Sequence, residues 1–148
     1  MRPGAPPART VRAGPRAGAG AAAVAALLLA GCAAGPDPAK GQFEDRDPLQ
    51  PCTEVTLAQG ETVPAEAWDC LEAGATTGAE LVVGVPTTEG ETIRYYFRAG
   101  PEVEGVEIFI DRTAEKWGTG KWDRRLCTGE SFDVIVAGCL ATFVPVEA

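Results

Sequence analysis

The chain has 148 residues, with 13 basic and 21 acidic side chains, no histidine and a formal charge of −8. That length suits one domain around a single core. The missing histidine excludes Ser-His-Asp and Cys-His nucleophilic chemistry, and the acidic balance argues against nucleic acid as a partner.

The first 31 residues differ in kind from the rest. They carry Arg2, Arg9, Arg12 and Arg16, no acidic residue, and then the apolar run "AAAVAALLLA" from Ala21 to Ala30. A basic start, a short apolar stretch and small residues before a break describe a secretory signal. The run has ten residues, half of the roughly 20 that a membrane-spanning helix needs. It ends on Leu29-Ala30-Gly31-Cys32, which resembles the lipobox of bacterial lipoprotein precursors at all four positions. The resemblance implies that the Cys32 sulfur receives a diacylglyceryl group, that residues 1–31 are cut away, and that the new amino terminus is acylated. It places the protein at the extracytoplasmic face of the cell membrane, where two or more acyl chains hold firmly what one holds marginally.

Removing 31 of the 148 residues leaves 117, and removing their four arginines leaves nine basic residues against 21 acidic ones. A mature chain so acidic argues against electrostatic docking on anionic lipid, so the lipid is expected to hold it at the membrane despite its charge. With Cys32 used for lipid, Cys52, Cys70, Cys127 and Cys139 remain. Four thiols in an oxidising compartment favour two disulfides. Three connectivities are open, and the short loops favour Cys52–Cys70 with Cys127–Cys139. A metal site is the competing use of these thiols, but the chain has neither histidine nor CxxC, so no metal or cofactor is expected.

From Ala33 to Pro51 the sequence "AAGPDPAKGQFEDRDPLQP" holds four prolines, two glycines and scattered charge. It reads as a flexible tether following the lipidated residue, and its acidic residues lack the spacing of a calcium loop. A single domain is expected over 52–148. "TEVTLAQG" (53–60) alternates as a short strand. "TVPAEAWDCLEAG" (62–74) has helix punctuation, with Pro64 near its start and Gly74 past its end. Val63, Ala67, Trp68 and Leu71 fall on one side of that helix, opposite Glu66, Asp69 and Glu72.

Four alternating segments follow, "AELVVGV" (79–85), "TIRYYFRA" (92–99), "GVEIFID" (105–111) and "KWDRRLC" (121–127), separated by turn-rich breaks. They predict an α+β fold: an antiparallel meander of about four to six strands with one amphipathic helix packed on one face. Register follows from asking which pairings satisfy both faces at once. Val85 opposite Ile93, Val83 opposite Tyr95 and Leu81 opposite Phe97 make an apolar face. Glu80 then meets Arg98, and Val82 meets Tyr96. In the next hairpin Tyr95 faces Ile110 and Phe97 faces Ile108, while Arg94 meets Asp111, Tyr96 meets Phe109 and Arg98 meets Glu107. The final stretch "SFDVIVAGCLATFVPV" (131–146) reads as a strand bent at Gly138 or as a short helix and a strand. Its aromatic and branched residues favour the strand. In general pattern the domain is similar to small actinobacterial envelope lipoproteins, a likeness that carries no family name and no functional residue.

The catalytic inventory is thin. Ser131 lies in "CTGES" as a turn residue, there is no GxGxxG or phosphate loop, and Glu107 and Asp111, which share a strand face, each face an arginine. What remains is the outer face of the sheet, where Val82, Tyr96 and Phe109 form a row rimmed by charge, with Trp117 and Trp122 nearby. An apolar row of this kind marks a possible binding surface unless 131–146 folds over it. The expected function is a membrane-anchored, non-catalytic binding or accessory module for an envelope protein or small-molecule ligand. The alternative is a small carboxylate-dependent hydrolase of the cell envelope.

Overall fold

The computed structural model describes residues 35–143. The expected signal, the lipobox-like stretch and Cys32 lie outside the described residues, as do positions 144–148. The described chain forms the expected α+β fold, a six-stranded sheet with helices on both faces. In chain order the elements are α1 (Pro38–Glu44), β1 (Gln50–Pro51), β2 (Val55–Thr56), α2 (Ala65–Ala73), β3 (Ala79–Pro86), β4 (Thr92–Gly100), β5 (Val103–Asp111), β6 (Trp122–Cys127) and α3 (Phe132–Gly138). Single 3-10 turns follow α2 and α3, at Gly74–Thr76 and Ala141–Phe143.

Strands β3 to β6 are the antiparallel meander, and every cross-strand pair expected for β3, β4 and β5 is present. Register is forced because a slip by one residue would turn Leu81, Val83, Tyr95, Phe97, Ile108 and Ile110 to the opposite face together. Between Arg98–Glu107 and Gly100–Val103 the pairing shifts, so β5 carries extra residues there. Gly105 sits in this bulge at φ +95°, and a Cβ on it would stand 2.1 Å from the Cys127 carbonyl oxygen. Only glycine fits that backbone and that close approach to β6.

The sheet is mixed rather than purely antiparallel. β1 and β2 both run parallel to β3, continued by Cys52 N–H to Glu80 C=O (2.8 Å) and Leu57 N–H to Gly84 C=O (2.9 Å). The reason is α2, which carries the chain back along the sheet before β3 begins, as a crossover between parallel strands must. Two-residue strands carry no alternation from which this could be read.

The core lies between the inner face of the sheet and α2. Val63, Ala67, Trp68 and Leu71 are buried against Leu81, Val83, Phe97 and Ile108, with Trp68 edge-on to Phe97 at 5.2 Å. Two disulfides, Cys52–Cys70 and Cys127–Cys139, tie α2 to the β1 edge and α3 to the end of β6. Residues 132–143 hold no strand, but a helix and a 3-10 turn. Ser131 Oγ caps α3 by accepting from Val134 N–H at 3.4 Å, with Asp133 in the first turn. Such a cap favours helix locally over the strand preference of Val134, Ile135 and Val136. This segment also covers the inner face rather than the outer one. Ile135 and Leu140 are buried, Phe143 packs edge-on to Tyr95 and Phe97, and its carbonyl accepts from Val63 N–H at 3.0 Å.

Candidate functional site on the outer face

Alternation along the strands presents three rows on the outer face. The first is Glu80, Arg98, Glu107 and Leu126, the second Val82, Tyr96, Phe109 and Arg124, and the third Gly84, Arg94, Asp111 and Trp122. The expected apolar row exists, but it is not open. The stretch expected as a tether folds back across it as a strap, residues 37–47. Asp37 is the N-cap of α1, its Oδ1 accepting from Ala39 and Lys40 N–H at 3.2 Å each, and Pro38 supplies a first helical residue with no N–H to satisfy. Its other oxygen, Oδ2, accepts from Trp122 N–H on β6 at 2.8 Å. That backbone hydrogen bond holds the Asp37 carboxyl below the usual carboxylate range.

Six residues on, Phe43 drops onto the row. Its ring centroid lies 4.4 Å from Tyr96, 4.4 Å from Trp122 and 5.5 Å from Phe109. The Arg46 guanidinium stacks 3.4 Å above Phe43, placing a cation over the ring face. Val82, Tyr96 and Trp122 are thereby half-buried and Phe109 is 1% exposed. Burial pushes the Tyr96 phenol up from its ordinary value. The surface role expected for Val82, Tyr96, Phe109 and Trp122 is therefore corrected: they are the seat of the chain's own N-terminal segment. Trp117 does not join them. It lies in the β5–β6 loop and is 78% exposed.

Beside the aromatic seat runs an alternating ionic row. Arg46 donates from Nε and Nη2 to the two oxygens of Glu80, both at 3.0 Å. Arg98 Nε stands 3.2 Å from Glu80 Oε2, and Arg98 Nη1 donates to Glu107 Oε2 at 2.8 Å. Arg124 Nε donates to Glu107 Oε1 at 2.7 Å, and Arg98 Nη2 reaches back to the Asp47 carbonyl at 2.8 Å. Arg98 and Glu107 are among the buried residues, where charge is tolerated only beside opposite charge, and Arg98 Nε lies near Glu80 without a hydrogen bond of its own. The expected Arg94–Asp111 contact is a backbone pairing without an ion pair, since Asp111 Oδ1 instead accepts from Thr113 N–H and Oγ1 at 2.9 and 2.6 Å.

Glu80 and Glu107 each have both oxygens engaged by arginines, so neither is positioned to give or take a proton. Among the described residues no three His, Cys, Asp or Glu side chains are grouped to hold a metal ion, and no helix is long and apolar enough to cross a membrane. What the outer face does offer is an open depression of about 420 Å³ at the edge of the strap, lined by Gln42, Asp45, Glu107, Phe109 and Arg124. Arg124 is half-exposed there and faces a carboxylate and an amide from the strap, an arrangement suited to polar contacts on an apolar floor.

Phe43, Arg46 and Asp37 are the functional-face residues that sequence reasoning missed. Asp37-Pro38 was their visible signal, a cap followed by proline at the first helical position. In comparisons with known proteins, no family model, no curated protein and no solved structure matched the chain.

Proposed function

We propose that this protein is a lipoprotein held through Cys32 at the extracytoplasmic face of the bacterial cell membrane, where its domain serves as a non-catalytic binding or accessory module. The observation that carries this reading is Leu29-Ala30-Gly31-Cys32 at the end of the apolar run. A domain cross-linked by two disulfides agrees with it, because such bonds persist in oxidising compartments. Saturation of Glu80 and Glu107 by arginines supports a binding role over hydrolysis. The depression beside Phe109 is the place proposed for contact with an envelope protein or a small polar ligand.

Metabolic labelling with a fatty acid tests the anchor. Wild-type protein is expected to take up label and sediment with membranes, whereas Cys32→Ala loses the label and is released or left unprocessed. Equal labelling of the two would overturn the assignment.

A further inference from the structure

The basic residues of the mature chain are not spread evenly. Five of the nine that follow Cys32 fall within residues 112–125, against two acidic residues there, while the other four share the rest of the mature chain with 19 acidic ones. This segment is the β5–β6 loop and most of the edge strand β6. Arg112 is spent internally, paired with Glu115 at 3.3 Å and Asp123 at 3.0 Å. Lys116, Lys121 and Arg125 are exposed, and among the described residues no carboxylate approaches within 4.0 Å of them. At the loop stands Trp117, with the Lys116 ammonium 5.2 Å from its ring.

Chain length says what meets this loop. The loop leaves the sheet at the Asp111–Trp122 pair, and Trp122 N–H is bonded to Asp37. Asp37 follows Cys32 by five residues, which span at most about 17 Å when fully extended. A lipid on Cys32 therefore keeps the Asp37 end of the domain within reach of the bilayer surface, and the same end carries five of the nine basic residues of the mature chain.

We infer that the β5–β6 loop is a second membrane contact: Trp117 inserts at the headgroup level of an anionic bilayer, with Lys116, Lys121 and Arg125 against its phosphates. The inference rests on the lipid anchor proposed above. Tryptophan is amphipathic and settles at the membrane–water boundary. Basic side chains near an anionic surface attract it over about a Debye length, while the acidic remainder of the molecule is repelled, which orients the domain. The strap thus keeps the domain close to the bilayer.

The test uses the mature, lipidated protein in vesicles of phosphatidylcholine, with or without phosphatidylglycerol, containing lipid brominated near the headgroup. The emission of Trp117 is taken as the difference between wild type and Trp117→Phe. Being exposed, residue 117 tolerates this change without loss of melting temperature. On phosphatidylglycerol vesicles that emission is expected to fall about twofold or more, and to fall far less on phosphatidylcholine alone or in Lys116→Ser/Lys121→Ser. Protein that floats with the vesicles while Trp117 stays unquenched would overturn the inference, leaving the anchor intact and turning the basic loop toward an acidic protein instead. Equal quenching on neutral vesicles would overturn the role of charge. A mature N-terminal peptide whose mass shows no acyl group on Cys32 would remove the anchor, and this inference with it.

Discussion

Glu107 shows how much a single side chain can hold. It is 6% exposed and accepts from two arginines on neighbouring strands. Glu107→Ala would leave Arg98 buried with only Glu80 as its charged partner, and loss of one partner from a buried pair costs about 3–5 kcal/mol. Urea unfolding is expected to show this as a lower midpoint at unchanged slope. The exposed Lys40–Glu44 pair on α1 is the contrast, both side chains being about half open to water. Glu44→Ala is expected to change stability by no more than about 0.5 kcal/mol, as for exposed pairs of this spacing. If the two variants proved alike, the outer ionic row would be a solvated array and not a buried one.

At the scale of elements, α1 is the informative piece. Seven residues are too few for a helix to persist in water unaided, so its order comes from Asp37 at one end and from Phe43 and Arg46 at the other. Asp37 has a lowered folded pKa, caused first by the Trp122 N–H. The sign follows directly. Its ionised form contributes to the docked strap fully above the ordinary carboxylate range, and that contribution is lost as pH falls through the lower folded value. The Trp122 amide resonance is accordingly expected to titrate with a midpoint below that of an ordinary aspartate, and Asp37→Asn to abolish the step. A midpoint at the ordinary value would mean that the carboxylate is not bonded to β6. The strap would then be undocked in solution.

For the whole molecule, the disulfides join elements that contribute little area by themselves. Cys52–Cys70 closes 18 residues and Cys127–Cys139 closes 12, each restricting the unfolded chain by about 3 kcal/mol. Together they are comparable to the whole stability of a small domain, about 5–15 kcal/mol. Replacing Cys52 and Cys70 by serine is expected to lower the melting temperature markedly while leaving one cooperative transition. Reduction of both bonds is expected to abolish the near-ultraviolet dichroism of Trp68, which is buried against Phe97. Retention of that signal after full reduction would show that the core alone suffices.

Much of this molecule was legible from residues alone. The α+β class, the disulfide partners, α2 with its buried side and the register of β3, β4 and β5 all followed from local rules. Strand alternation has a period of two, so only one register could satisfy the apolar face and the Glu80–Arg98–Glu107 row together. Cysteine spacing made the two short loops the cheapest to close. The docking of the strap and the parallel edge strands were decided by tertiary structure. They are too short to show a repeating pattern, and their order depends on partners distant in sequence: Asp37 finds Trp122 across 85 positions, and Arg46 finds Glu80 across 34. The same holds for the tryptophans. Trp122 joins the aromatic seat because strand parity sets it opposite Asp111 on the outer face, whereas Trp117, five residues earlier in a loop, is turned out to solvent. Composition could count the aromatic residues, but only the packed sheet could say which were already covered by the chain itself.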